Sequence, residues 1–130
     1  MTSKKQIYRT TTACLIIIFL ISCHSVAYIG QPINPQELTD GIYQGEFKHG
    51  LNKARVEATI RNQRIVKITI LQHKAWKGKK VDTIIPERII AGQSTRVDAV
   101  SGATNSSRVI MNAVQMAIEK SISLKARTEE

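Results

Sequence analysis

Apolar and polar residues alternate over residues 55–60, with Val56, Ala58 and Ile60 on one face and Arg55, Glu57 and Thr59 on the other. A period of two predicts a half-buried strand. Asn62, Gln63 and Arg64 make a short turn, and the chain returns over residues 65–71. There Val66, Ile68 and Ile70 share one face and Ile65, Lys67, Thr69 and Leu71 the other, so the pair predicts an antiparallel hairpin. Upstream, Ile42, Gln44 and Glu46 alternate with Tyr43, Gly45 and Phe47, as in a third half-buried strand. Pro86 and Gly92 bracket a short helix expected over residues 87–91. Over residues 109–118 the period lengthens to that of a helix. Val109, Ala113, Met116 and Ala117 line one stripe, with Ile110, Val114 and Ile118 beside it. Met111 and Met116 read as core filling. Arg108, Asn112, Gln115 and Glu119 form a polar stripe expected to face solvent. After Ser121 the pattern is lost, and residues 123–130 are expected to fray. Residues 40–122 are thus expected to be one α+β domain, a small antiparallel sheet packed against a C-terminal helix.

The chain begins differently. Lys4, Lys5 and Arg9 precede an unbroken apolar run over residues 13–21, the layout of an export signal. Leu20-Ile21-Ser22-Cys23 follows and resembles the bacterial lipobox, in which the Cys is acylated and becomes the new N-terminus. Several acyl tails on Cys23 would give stable anchoring, which one chain does not. Two other outcomes fit the same residues: cleavage after Ser25-Val26-Ala27, or retention of residues 13–29 as a transmembrane anchor. Each sends the domain across the membrane. The expected location is the outer face of a bacterial cytoplasmic membrane, the periplasm or the cell surface, with residues 1–23 as signal or anchor. Residues 24–39 contain Pro32 and Pro35 with Gly30 and Gln31, show no apolar period, and are expected to form a tether.

Charge and composition narrow the functions. The 130 residues carry a net charge of +9, and 16 basic against 10 acidic residues remain from Cys23 onward. That excess favours anionic partners such as phosphates, lipid headgroups or acidic proteins. Nucleic acid is a poor fit, because no strand interleaves aromatic and basic residues and the chain is built for export. Cys14 and Cys23 both lie in the leader, so no disulfide staples the domain. His24, His49 and His73 lack ligand spacing, so no metal is expected. Hydrolysis also lacks a constellation: there is no G-x-S-x-G, and Asp98 near Ser101 has no identifiable base. Gly78-Lys79-Lys80 is no P-loop, having neither the upstream glycine nor the following Ser/Thr. Residues 73–80 read as a basic loop around the single tryptophan, Trp76. It is either a solvated loop or a docking site for an acidic partner or anionic lipid.

One stretch offers definite chemistry. Asp98-Ala99-Val100-Ser101-Gly102-Ala103-Thr104-Asn105-Ser106-Ser107 stands directly before the helical pattern. A helix N-terminus has unpaired N–H groups and a partial positive charge, which suit a phosphate. Gly102 and Ala103 allow close approach to the backbone, and Thr104 supplies a hydroxyl. The same residues also suit a Ser/Thr-rich N-cap with no ligand.

The segment resembles the flavinylation motif of the FMN-binding domain family, in which an acidic residue leads a Ser/Thr-Gly-Ala-Thr sequence. Asp98, Ser101, Gly102, Ala103 and Thr104 match it without departure. Asp40-Gly41-Ile42-Tyr43-Gln44-Gly45 resembles the family's opening strand, and Gln93-Ser94 and Val97-Asp98 fall at corresponding places. The resemblance therefore extends over residues 40–122. It implies an FMN cofactor whose phosphate is esterified to Thr104 by a flavin transferase using FAD as donor. It also implies an electron-transfer component rather than an autonomous enzyme, served by redox partner proteins or a membrane quinone pathway. Similar domains occur in sodium-pumping NADH:quinone reductase and Rnf complexes. In that setting the lysines of residues 73–80 would raise the flavin potential, and Trp76 would stack on its ring. The residues alone leave one alternative open, a non-redox lipoprotein binding another phosphate-bearing ligand at the same helix N-terminus.

Overall fold

The computed structural model describes residues 29–75 and 79–129. The leader, Cys23 and Trp76 lie outside the described residues. Three antiparallel strands, β1 (Gly41–His49), β2 (Asn52–Arg61) and β3 (Arg64–Lys74), form a sheet in the order β1-β2-β3. Two helices follow, α1 (Lys79–Gly92) and α2 (Thr104–Thr128). The architecture is α+β, as expected, with α2 packed on one face of the sheet. Ala54, Val56, Ala58 and Ile60 of β2 are fully buried together with Val109, Ile110, Ala113, Val114, Ala117 and Ile118 of α2. Val81, Ile85 and Ile89 add a second helical stripe from α1. Gly45 lets α2 come this close. A Cβ built there would stand 1.9 Å from the Ala113 carbonyl oxygen and 2.6 Å from the Ala117 nitrogen, inside the helix backbone.

The hairpin forms where the alternation predicts it, but its faces shift. Register slips between Arg55 and Val56 and between Thr59 and Ile60 leave Leu71 and Val66 of β3 without a partner. An extra residue in one strand turns the following side chains over. Ile65 is therefore buried and Val66 exposed, the reverse of strict alternation. Asn62 and Gln63 turn the chain with φ of 52° and 58°, a pair that suits a two-residue hairpin. The Asp40 carboxylate accepts both of their N–H groups, at 2.8 and 3.0 Å. Those bonds, Gln63 first and then Asn62, hold its carboxyl below the ordinary value. The Asp40-Gly41 opening thus clamps the neighbouring turn.

Three further differences matter for the site. Where the pattern predicts a short helix after Pro86, α1 starts at Lys79 and takes Pro86 into its interior. Proline removes the bond to the Asp82 carbonyl, but the buried stripe of Val81, Ile85 and Ile89 outweighs that local loss. His73, Lys79 and Lys80 accordingly belong to β3 and α1 rather than to a loop.

Residues 29–39, expected as tether, form a strap along α2. The Asn112 side chain accepts the Ile29 N–H, Gln115 accepts the Gln31 N–H, and Leu38 is buried. The strap covers the polar stripe, so Asn112 and Gln115 are buried instead of solvated. Gln115 also accepts the Thr95 hydroxyl at 2.6 Å, which satisfies its oxygen inside the protein.

Finally, α2 continues to Thr128, where fraying is expected. Ser121 bonds both backbone groups of Thr39, Lys125 donates to the Gln36 carbonyl, and the cations of Lys125 and Arg127 suit a helix C-terminus.

Candidate functional site

Residues 93–103 connect the helices and are fixed at both sides. Gln93, with φ of 47°, ends α1 and pairs its side-chain amide with the N–H and carbonyl of Ile65, each at 2.9 Å. Arg88 donates to the Asp98 carbonyl at 2.6 Å, so α1 holds the start of the motif by its backbone. The Ala103 N–H then closes on the Val100 carbonyl at 3.0 Å. Gly102 occupies the third position of that turn with φ of 76°, a conformation that favours glycine.

Ala103 is the N-cap of α2 and makes no side-chain capping bond. The hydroxyl groups of this stretch therefore do not serve as an ordinary Ser/Thr cap. Ser107, one turn in, accepts the Val100 N–H at 3.0 Å and donates to the Ala103 carbonyl at 2.8 Å. It holds the turn from inside the helix. The first intrahelical bond runs from the Ser107 N–H to the Ala103 carbonyl, leaving the N–H groups of residues 104, 105 and 106 without an intrahelical acceptor. Thr104 is the first helical residue and is exposed, and among the described residues its hydroxyl has no partner.

A recess of about 360 Å³ lies beside this turn, lined by residues 79–81 and 100–103. Ser101, Gly102 and Ala103 form one wall, and Lys79, Lys80 and Val81 the other. Asp98 and Thr104 are exposed and lie outside its lining. His73 fixes the lysine wall. Its Nδ1 stands 2.5 Å from Asp82 Oδ1 in the first turn of α1, and its side chain is 2% exposed. His73 Nε2 is buried without a partner among the described residues. A larger recess of about 630 Å³ lies at the opposite end of α2, lined in part by Asp40 and Lys125. Size alone does not locate the site, since the Asp40 carboxylate there is already held by two backbone N–H groups.

The motif end suits a flavin phosphate on three counts. Unpaired N–H groups and the helix dipole favour an anion, two lysines stand beside the turn, and a Cβ built on Gly102 meets nothing within 4 Å. The recess volume is within the range of small-ligand sites. Arg88 is the residue of this end that the sequence did not single out, while Ser107 stood within the Asp98–Ser107 stretch and His73, Lys79 and Lys80 within the basic segment of residues 73–80. A hydroxyl one turn inside a helix and a cation one helix away carry no local signature. Among the described residues no group of three or more His, Cys, Asp or Glu is placed to hold a metal, and no helix is long and apolar enough to cross a membrane.

Comparison with known proteins shows the family. The family description "FMN-binding domain" matches residues 50–119, which include β2, β3, α1 and the whole motif. An uncharacterized protein of Treponema pallidum (strain Nichols) is 30% identical over 93 residues, covering 67% of this chain and 25% of that protein. The chain thus spans about a quarter of the length of this relative.

Proposed function

The chain belongs to the FMN-binding domain family, with FMN as its cofactor, and from that premise we propose an exported, membrane-tethered electron carrier with FMN esterified to Thr104. The observation that supports the attachment is the exposed Thr104 hydroxyl, without a partner among the described residues, at a helix N-terminus whose Ala103 makes no side-chain cap. Bound FMN supplies one- and two-electron chemistry. The chain positions it. Gly102 keeps the approach to the backbone open, and Ser107 and Arg88 hold the turn rigid. The N–H groups of residues 104–106, with Lys79 and Lys80, favour the phosphate.

Attachment is a phosphoryl-transfer step carried out by a flavin transferase. Thr104 Oγ attacks the FMN-side phosphorus of FAD and the pyrophosphate bond breaks. AMP leaves, and the hydroxyl proton passes to the transferase. Asp98 and residues 101–103 are the recognition elements: Asp98, Ser101 and Gly102 are exposed and Ala103 is half-buried.

Co-expression with a flavin transferase, followed by denaturing electrophoresis, tests the reading. Flavin fluorescence should migrate with the polypeptide, and Thr104→Ala should remove it. Fluorescence that persists in the variant moves the bond to another residue. Loss of flavin on denaturation of the unmodified sequence leaves a non-covalent FMN binder. The tether rests on Leu20-Ile21-Ser22-Cys23. Cys23→Ser should abolish acylation and N-terminal processing, and unchanged detergent partitioning would refute the lipid anchor.

A further inference from the structure

Lys48 of β1, Lys53 of β2 and Lys74 of β3 are register partners across the sheet. Partners of this kind share a face, so three cations stand side by side, an arrangement that repels. Among the described residues the ion pair of this row is Lys53 with Glu46, at 2.9 Å. Lys79 and Lys80 open α1 and are exposed, at the helix end where cations are disfavoured. The adjoining β1–β2 turn carries Leu51, 88% exposed. Each feature works against the isolated fold, and such local violations gather where a protein meets something else.

All of them lie at the Thr104 end of the molecule. Ser121 meets Thr39, Lys120 reaches the Gln44 carbonyl, and Gly45 packs between Ala113 and Ala117, so β1 runs antiparallel to α2. The strap runs the opposite way to β1, parallel to α2, with Ile29 at Asn112, Gln31 at Gln115 and Thr39 at Ser121, so its N-terminal end is the one toward Thr104. Asn112 is about 12 Å along the helix from Thr104. Ile29, the first described residue, therefore lies toward the same end of the molecule as the lysine row, which stands on the sheet face opposite α2.

We propose that this end of the domain docks on an anionic lipid surface, with Lys48 and Lys74 over the headgroups and Leu51 at the interface. The proposal rests on the tether reading above. It turns the Thr104 end toward the bilayer. A lipid surface is favoured over an acidic protein because the strap's first described residue, Ile29, lies toward this end and the proposed tether precedes it in the chain. A single protruding leucine beside lysines also suits an interface that is apolar below and anionic above.

The test uses the full flavinylated chain with vesicles carrying nitroxide-labelled headgroups, either phosphatidylcholine alone or phosphatidylcholine with phosphatidylglycerol. Flotation reports the tether, and flavin quenching reports docking. The proposal expects flotation with both vesicles and stronger quenching with phosphatidylglycerol, reversed by salt. In Lys48→Gln and Lys74→Gln variants the docked-to-undocked ratio should fall about fivefold for each lysine replaced. Flotation with both vesicles but equal quenching overturns the docking and leaves the tether standing. Flotation only with phosphatidylglycerol supports the docking face and removes the tether. No flotation overturns both. Binding of polyglutamate to this face, without lipid-dependent quenching, overturns the lipid assignment in favour of an acidic protein.

Discussion

At its C-terminal half α2 is stitched to the strap and to β1. Ser121 Oγ accepts the Thr39 N–H at 2.8 Å and donates to the Thr39 carbonyl at 3.1 Å, and Lys120 and Lys125 each reach a backbone carbonyl. At its N-terminal end Ala103 caps without a side chain, Thr104 is exposed, and the first-turn N–H groups have no intrahelical acceptor. The contrast separates two uses of one helix. Polar groups at the stitched end are consumed by the fold, whereas those at the open end are held in place and left available to an anion. The open end is not loose, because Arg88, Ser107 and the Gly102 turn fix its backbone.

Substitutions along α2 sharpen this contrast. The largest effect is expected at the seam between the ends. Gly45→Val pushes a side chain into the backbone of Ala113 and Ala117, and should destabilise by ~3 kcal/mol in urea unfolding. Next comes the stitched end. Ser121→Ala leaves both Thr39 backbone groups unpaired beside a fully buried residue, at a cost of about 2 kcal/mol. At the open end, Ser107→Ala should cost only about 1 kcal/mol. It also leaves the Val100 N–H without its acceptor, so flavinylation by the transferase should slow far more than that stability loss suggests. A Ser107→Ala protein flavinylated at the normal rate would show that the turn needs no support from within the helix.

The smallest effect is a pH dependence at the Asp40 clamp. Its carboxyl is held below its ordinary value of 3.8 by the N–H groups of Gln63 and Asn62. A depressed folded value stabilises the protein above the unfolded value, and the contribution is lost as pH falls through the folded one. Urea midpoints measured between roughly pH 5 and pH 2 should fall less steeply in Asp40→Asn than in the unmodified chain. Identical slopes would remove Asp40 from the acid limb.

Much of the stitched body was legible in the sequence, because alternation and helical spacing report burial directly. The hairpin of residues 55–71 and the core stripe of α2 follow from those periods. The failures have physical causes. Val66 and Leu71 sit at bulges, where counting by two breaks down. Asn112 and Gln115 look solvated on a helical wheel, but the strap that buries them has no periodicity to announce it. Pro86 masked the first half of α1, although Val81, Ile85 and Ile89 already carried a helical spacing.

The open end divides in the same way. Asp98 and residues 101–104 were visible as a run of small and hydroxyl-bearing residues before a helix. The contributions of Arg88, His73, Lys79 and Lys80 depend on α1 lying beside the turn, which no local pattern encodes. Spacing marked the proposed attachment point, and only the fold brings α1 beside it.

The most direct test of the account is the intact and peptide mass of protein purified from a transferase-competent host. The account predicts one FMN ester, on the peptide containing Thr104, and a Thr104→Ala protein of unmodified mass whose stability lies within about 0.5 kcal/mol of the parent. An unmodified Thr104 peptide in the parent protein, or a flavin retained by the variant, would contradict it.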